Sequence, residues 1–192
     1  MINDVFQGIR EALLEHLQRV TSYSPTEAMR ELVMFPGADK IESVDFKLGA
    51  VTMLLVNIEE DRRGRPADPY RRTVGDGTSV AVNAPIPLNL YILFVARFND
   101  YLESLKYTGL ITLFFQAHRI INRENLPNLS ERIDSLTTEL ITTPITEDNH
   151  VWRLLNAAYH PSLLYRVKML VVQDPHGTPL PQTRSMQVET NQ

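Results

Sequence analysis

Five arginines, Arg62, Arg63, Arg65, Arg71 and Arg72, fall within the stretch "DRRGRPADPYRRTVGDGTS", with Tyr70 set among them. Guanidinium groups grip phosphate oxygens in a two-pronged way and an interleaved aromatic ring stacks on a base, so the pattern suits phosphate or single-stranded nucleic acid. It suits the acidic rim of a protein partner as well. Glu59, Glu60, Asp61 and Asp68 dilute the positive charge, and a solvated loop accounts for the same residues. Other candidates for chemistry are weaker. "TVGDGTS" lacks the lysine that a phosphate-cradling loop requires and reads as a turn. His16, His118, His150, His160 and His176 are scattered, and none forms the helical pair or short cluster of a metal site. "IEED" gathers carboxylates, as general acid–base work requires, but acidic residues at a strand end are ordinarily a solvated terminus, and no second constellation joins them. No catalytic, cofactor-binding or metal-binding set is assigned, and the expectation is a non-enzymatic protein without cofactor.

Composition narrows the class further. At 192 residues and 43% hydrophobic content the chain suits one domain with a real core. A net charge of -4 argues against coating nucleic acid through bulk electrostatics. Without cysteine there is neither a disulfide framework nor a thiolate site. The opening "MINDVFQGIREALLEHLQRV" has no basic start or unbroken apolar run, and no later stretch reaches the roughly 18 consecutive apolar residues of a membrane span. A soluble chain with no cleaved leader and no membrane insertion is expected.

The elements that must hold these residues alternate between helix and strand. Asp4 with Gln7 resembles a capping box, and Val5, Ile9, Leu13, Leu17 and Val20 follow at helical spacing, predicting a helix over 4–21. A strand over 48–60 would carry Leu48, Ala50, Thr52, Leu54, Val56 and Ile58 on one face and Val51, Met53 and Leu55 on the other. The Gly, Pro and Arg segment that follows is long for an internal connection and is expected to be a loop, mobile or ordered by a partner. Residues 88–98 then alternate, with Leu88, Leu90, Ile92, Phe94, Ala96 and Phe98 on a core face. Asp100 with Glu103 caps a helix running to about Ala117. Between Tyr107 and Phe115 that helix has no polar face, so it is expected to be covered all round. Leu110, Phe114 and Phe115 are therefore candidates for packing in the core or against a second subunit, since burial is worth roughly 1.5–3 kcal/mol for each such side chain.

The second half repeats this logic. "RIDSLTTELI" reads as a strand. Thr146, followed by Glu147 and Asp148, is placed as the N-cap of a short helix containing Trp152, Leu154 and Leu155. In "HPSLLYRVKMLVV" Leu163, Tyr165, Val167, Met169 and Val171 share one strand face, and Arg166 and Lys168 point to the other. Together these predict a single α+β domain over 1–173, its sheet mixed or mainly antiparallel, of at least four strands and flanked by helices. Residues 174–192, with Pro175, Pro179 and Pro181, are expected to form an extended arm in which "RSMQVET" alternates well enough to add to an exposed sheet edge.

Two regions, Pro85 to His118 and Leu136 to Asp174, carry a resemblance. "PIPLNLYILFVARFNDYLESLKYTGLITLFFQAH" and "LTTELITTPITEDNHVWRLLNAAYHPSLLYRVKMLVV" resemble the cap, or tube-terminator, family of phage-tail-like extracellular contractile injection systems. Its most specific parts are "NLYILF", "FFQAH" and Trp152 followed by "YHPSLLYRVKML", none of them a catalytic signature. Where the family has Trp-Gly and Leu-Gly-Ala pairs, this chain has Trp152-Arg153 and Leu155-Asn156-Ala157. The resemblance implies a tail-terminator-like fold and a structural role: a hexameric ring at the membrane-distal end of the inner tube, ending tube growth and securing the last layer of sheath. The implied partners are further copies of the chain, inner-tube protein and sheath protein, with the Arg62–Arg72 stretch as a contact. Assembly in the bacterial cytoplasm is implied, then residence in a particle that is released or membrane-anchored. The alternative is a phosphate- or nucleic-acid-binding module acting through the arginine stretch.

Overall fold

The protein is represented by a computed structural model that describes residues 1–21, 31–37, 44–61, 71–73, 79–81, 86–124, 126, 129, 133–142, 144–171 and 178–179. Helix α1 spans Ile2–Thr21 and buries Val5, Ile9, Leu13 and Leu17 at the expected spacing. It starts two residues before Asp4, so that carboxylate does not cap it. Asp4 instead meets the Met1 amino group at 2.8 Å and adds acidic charge to the first turn, where the helix dipole favours it.

Strands β1 (Val33–Met34), β2 (Ala50–Glu60), β5 (Pro87–Arg97), β6 (Ile120–Ile121), β7 (Ile133–Ile141) and β8 (Ser162–Val171) form a six-stranded sheet in the order β1-β2-β5-β8-β7-β6. Only the β1–β2 pair is parallel, so the sheet is mixed and mainly antiparallel, as expected. In β2 the register shifts between Leu55 and Asn57, with Leu54 opposite Leu93 but Ile58 opposite Leu90. This bulge breaks the uniform alternation expected through 48–60. Ile58 is turned to the face of Met53 and Leu55, because one extra residue reverses the side on which every later side chain emerges.

Helix α2 (Tyr101–Ala117) follows β5, with Asp100 at its N-cap accepting from the Leu102 amide at 3.0 Å. Helices α1 and α2 share a core with the first face of the sheet, through Met53, Ile92, Phe94, Tyr165 and Val167. Gly8 permits the tightest part of this packing, since a Cβ there would run into the buried Leu126 side chain. Helix α3 (Ile145–Leu154) belongs to the second face, where Trp152 joins Phe46, Leu54, Leu93 and Val95.

Both ends of α3 differ from the sequence expectation, with Leu155 standing as its C-cap and not within it. Its N-cap is Pro144, without a side-chain hydrogen bond, and Thr146 falls inside the first turn instead of capping it. At the other end the Asn156 amide donates to the Arg153 carbonyl at 3.2 Å and the Ala157 amide to the Trp152 carbonyl at 3.3 Å. Asn156 has φ of 48°. This is a Schellman closure, whose left-handed position favours glycine first and asparagine next. Asn156 therefore fills the place of the family's glycine with the side chain that best tolerates its geometry.

A second sheet of three short antiparallel strands has the order β3-β4-β9, from Arg71–Thr73, Ser79–Ala81 and Thr178–Pro179. Part of the stretch read as a loop is thus a hairpin. Thr178–Pro179, placed by the sequence reading in the arm, pair with it. Arg62, Arg63, Arg65 and the "RSMQVET" segment lie outside the described residues.

Candidate interaction surfaces

Leu110, Phe114 and Phe115 are buried in the protomer's own core. The Phe115 ring lies 4.1 Å from that of Tyr165 and 5.2 Å from that of Phe94, and Phe114 lies 5.5 Å from His16. Of the two roles open to these three residues, they fill the internal one. The side of α2 left uncovered is another, formed by Leu102, Leu105 and Leu113, which are 70%, 43% and 54% exposed. Spacings of three and four residues set these leucines and Gly109 along one stripe. Above Gly109 no atom lies within 4 Å of where a Cβ would stand. Full cover, expected from the lack of a polar face, is not achieved, because the sheet and α1 screen one side only. The helix reads as apolar all round partly because Thr108 and Thr112 turn their hydroxyls to the carbonyls of Ser104 and Thr108, at 2.8 and 3.0 Å.

The second face of the sheet is covered by α3 at one end and is polar at the other. Tyr91, Arg166 and Glu139 stand opposite one another across β5, β8 and β7. The Tyr91 hydroxyl donates to Glu59 at 2.7 Å, Arg166 donates to Glu139 at 2.6 Å, and Lys168 lies 3.6 Å from the same carboxylate. The Arg166 hydrogen bond holds the Glu139 carboxyl below its usual range, and burial, helped by Glu59, pushes the Tyr91 phenol up. The Arg166–Glu139 and Lys168–Glu139 contacts are cross-strand ion pairs on a partly exposed face, each worth about 0–1 kcal/mol. Their charges neutralise one another, so the arrangement holds the sheet and presents no free base or nucleophile. Among the described residues no three His, Asp or Glu side chains are placed to hold a metal ion.

At the sheet's β1 edge runs an apolar groove of about 470 Å³, lined by Ile2, Phe6, Phe35, Pro36, Leu55 and Leu155 among others. Arg10 fixes one wall, donating from Nε to the Val33 carbonyl at 2.7 Å with its guanidinium 5.9 Å above the Phe35 ring. A larger hollow of about 750 Å³ lies beside Trp152, Arg153, Asn156 and Tyr159 and is more polar. Of the arginines proposed for contacts, Arg71 and Arg72 have their backbone in β3, paired with Ala81 and Val80. The α2 stripe and the edge groove escaped sequence reasoning. The periodic signal for the stripe was hidden by apolar residues on every side of the helix, and the groove joins residues from α1, β1, β2 and the end of α3.

A mainly antiparallel six-stranded sheet, with helices on both faces and with apolar stripes outside, defines an α+β domain. The chain belongs to the Pvc16 N-terminal domain family, which it matches over residues 4–184. It resembles the sheath/tube terminator of an extracellular contractile injection system, PVC, solved in the extended state, with TM-score 0.57, 18% identity, and coverage of 100% of this chain and 64% of that one. It also resembles the tube-terminating cap of the anti-feeding prophage, with TM-score 0.50, 15% identity, and coverage of 73% and 48%. The chain therefore spans less than two thirds of the terminators it matches. No curated protein matches it. The resemblance read from "NLYILF", "FFQAH" and the Trp152 region holds at the level of family and fold. No helix among the described residues is long and apolar enough to cross a membrane.

Proposed function

We propose that this protein is a structural cap that ends the inner tube and secures the sheath end of a contractile injection particle, acting as a ring of six. The observation that carries the reading is the fold likeness to the PVC terminator over all of this chain, joined to its family membership. The leucine stripe on α2 supports self-association, since leaving such side chains in water forgoes roughly 1.5–3 kcal/mol each. A neighbouring copy would cover Leu102, Leu105 and Leu113, and Gly109 would let its backbone approach closely. One patch meeting a different patch on the next copy closes into a ring when the rotation closes.

In this reading tube and sheath proteins are the further partners, the role is non-enzymatic, and the finished particle is extracellular or membrane-anchored after assembly in the bacterial cytoplasm. The test is native mass spectrometry of the protein alone and with tube protein, with imaging of particle ends. Sixfold rings are expected in at least one setting, and monomers in both would sink the proposal. The arginine stretch keeps a second reading open, binding of phosphate or nucleic acid. Salt-sensitive affinity for short single-stranded oligonucleotides, without affinity for tube or sheath protein, would favour it.

A further inference from the structure

Three neighbouring strands of the large sheet end together. Glu60 of β2 stands opposite Leu88 of β5, and Leu88 opposite Met169 of β8, each within two residues of its strand's end. From this end the chain continues into the small sheet: residues 61–70 lead from β2 to β3, 82–86 from β4 back to β5, and 172–177 from β8 to β9. The order β3-β4-β9 repeats the order β2-β5-β8, with the same antiparallel pairing. The small sheet therefore carries these three strands on past a break.

Its strands are held unequally. β3 and β4 are joined locally, through residues 74–78, and pair from Arg71 opposite Ala81 to Thr73 opposite Ser79. Among the described elements they make more than slight contact only with each other and, through β4, with β9. A two-stranded hairpin on its own is marginally stable in water, and a third strand is what ordinarily fixes it. β9 is that strand. Thr178 lies opposite Ala81 and Pro179 opposite Val80, and Pro179, which has no N–H to give, is tolerated because β9 is an edge. We infer that β9 is a clasp: by pairing with β4 it holds the β3–β4 hairpin, and with it the backbone of Arg71 and Arg72, to the end of the large sheet, so that the state of residues 178–179 sets the state of the arginine hairpin. The coupling runs both ways. A protein partner that draws residues 178–179 out of the sheet frees the hairpin, and one that orders the hairpin favours β9 in place. With two residues paired, β9 is the strand that yields first, since local opening is easiest where few backbone contacts hold. The clasp follows from the strand pairing and does not depend on the cap reading.

Chains ending after residue 177 and after residue 179 are compared with the full chain by amide hydrogen exchange, read on segments 71–81 and 87–97. Segment 71–81 is expected to exchange roughly tenfold faster or more in the chain ending at 177, and at the full-chain rate in the one ending at 179. Segment 87–97, in the large sheet, should exchange alike in all three. The full chain bearing Ala81→Cys and Thr178→Cys supplies the converse test, because it has no cysteine of its own and opposite residues of an antiparallel pair stand within disulfide reach. Oxidation should slow exchange over 71–81 several-fold relative to the reduced protein. Equal exchange over 71–81 in the chain ending at 177 and the full chain would overturn the clasp, as would faster exchange already in the chain ending at 179. So would a double-cysteine protein that forms no disulfide, or that exchanges alike before and after oxidation. Should the chain ending at 177 lose protection in 87–97 as well, the disulfide comparison decides alone.

Discussion

His16 sets a pH dependence that follows from its place under α2. Its Nε2 is buried without a hydrogen-bond partner and its ring packs on Phe114. Burial, then the nearby Arg19 and His118, lower its pKa from the ordinary imidazole value. The unfolded chain takes up a proton near pH ~6.5 while the folded chain stays neutral. The stability this group supplies is therefore present above that pH and is lost as pH falls below it towards the lowered folded value. His160, lowered by burial and then by Arg97, acts in the same direction. Melting temperature should fall on acidification from about pH 7 to about pH 5, and His16→Phe, which keeps the ring contact and removes the titration, should flatten the slope. An unchanged slope would assign the acid loss to other groups. The arginines make a different test. Reversing the charge of Arg62, Arg63 and Arg65 should weaken capping and leave melting unaltered, because charge contacts between separate proteins are short and salt-screened and add nothing to the fold of either one alone. Normal capping by that variant would return them to solvated side chains. Sequence identified these residues by type and spacing alone. Asn156 was legible as a departure from the family, but only its left-handed φ gives the reason.

Elements with strong local signals were readable from sequence. α1, α2, β5 and β8 stand within a residue or two of their expected bounds: α1 and β8 each bury one periodic face, whereas β5 and α2 were marked by their apolar runs and α2 also by its Asp100 cap. The bulge in β2 was not readable, because it exists only relative to the register of β5. The cap of α3 was misassigned, because the position that caps it holds Pro144, which has no side-chain acceptor and so leaves no capping signature in the sequence. Two expected outcomes belong here. Trp152→Ala should destabilise by about 3–5 kcal/mol, since Trp152 meets the Phe46 ring at 5.9 Å and fastens α3 to the sheet. Urea titration checks it, and a loss under about 1 kcal/mol would mean that α3 is held by its flanking strands. The pair Leu105→Glu with Leu113→Glu should leave monomer stability within about 0.5 kcal/mol and abolish rings in native mass spectra. Intact rings would move the interface off this helix.

At the scale of the molecule, the two faces of the sheet are unequally covered. Two helices bury the first, whereas α3 covers one end of the second and cross-strand ion pairs occupy the rest. An α+β class and a mixed, mainly antiparallel sheet were legible in the alternation of periods. Strand order was not, since it depends on pairings between segments far apart in sequence. Removal of residues 180–192 leaves every strand described here in place. Its expected outcome is an unchanged melting temperature with sheath that detaches or ends unevenly at the capped tip, scored by negative-stain imaging. Firmly sheathed particles would take the segment out of the mechanism.

The place of β8 ties assembly to synthesis. It is the last strand of the large sheet in sequence, yet it lies between β5 and β7. A nascent chain can form α1 and the β2–β5 pair early, but β5 has no second neighbour and β7 no inner one until residues 162–171 have left the ribosome. Pairings this distant close late and slowly. An abortive translation product lacking β8 would thus have no continuous sheet, and under the proposed cap role only chains translated through β8 would compete for a tube end.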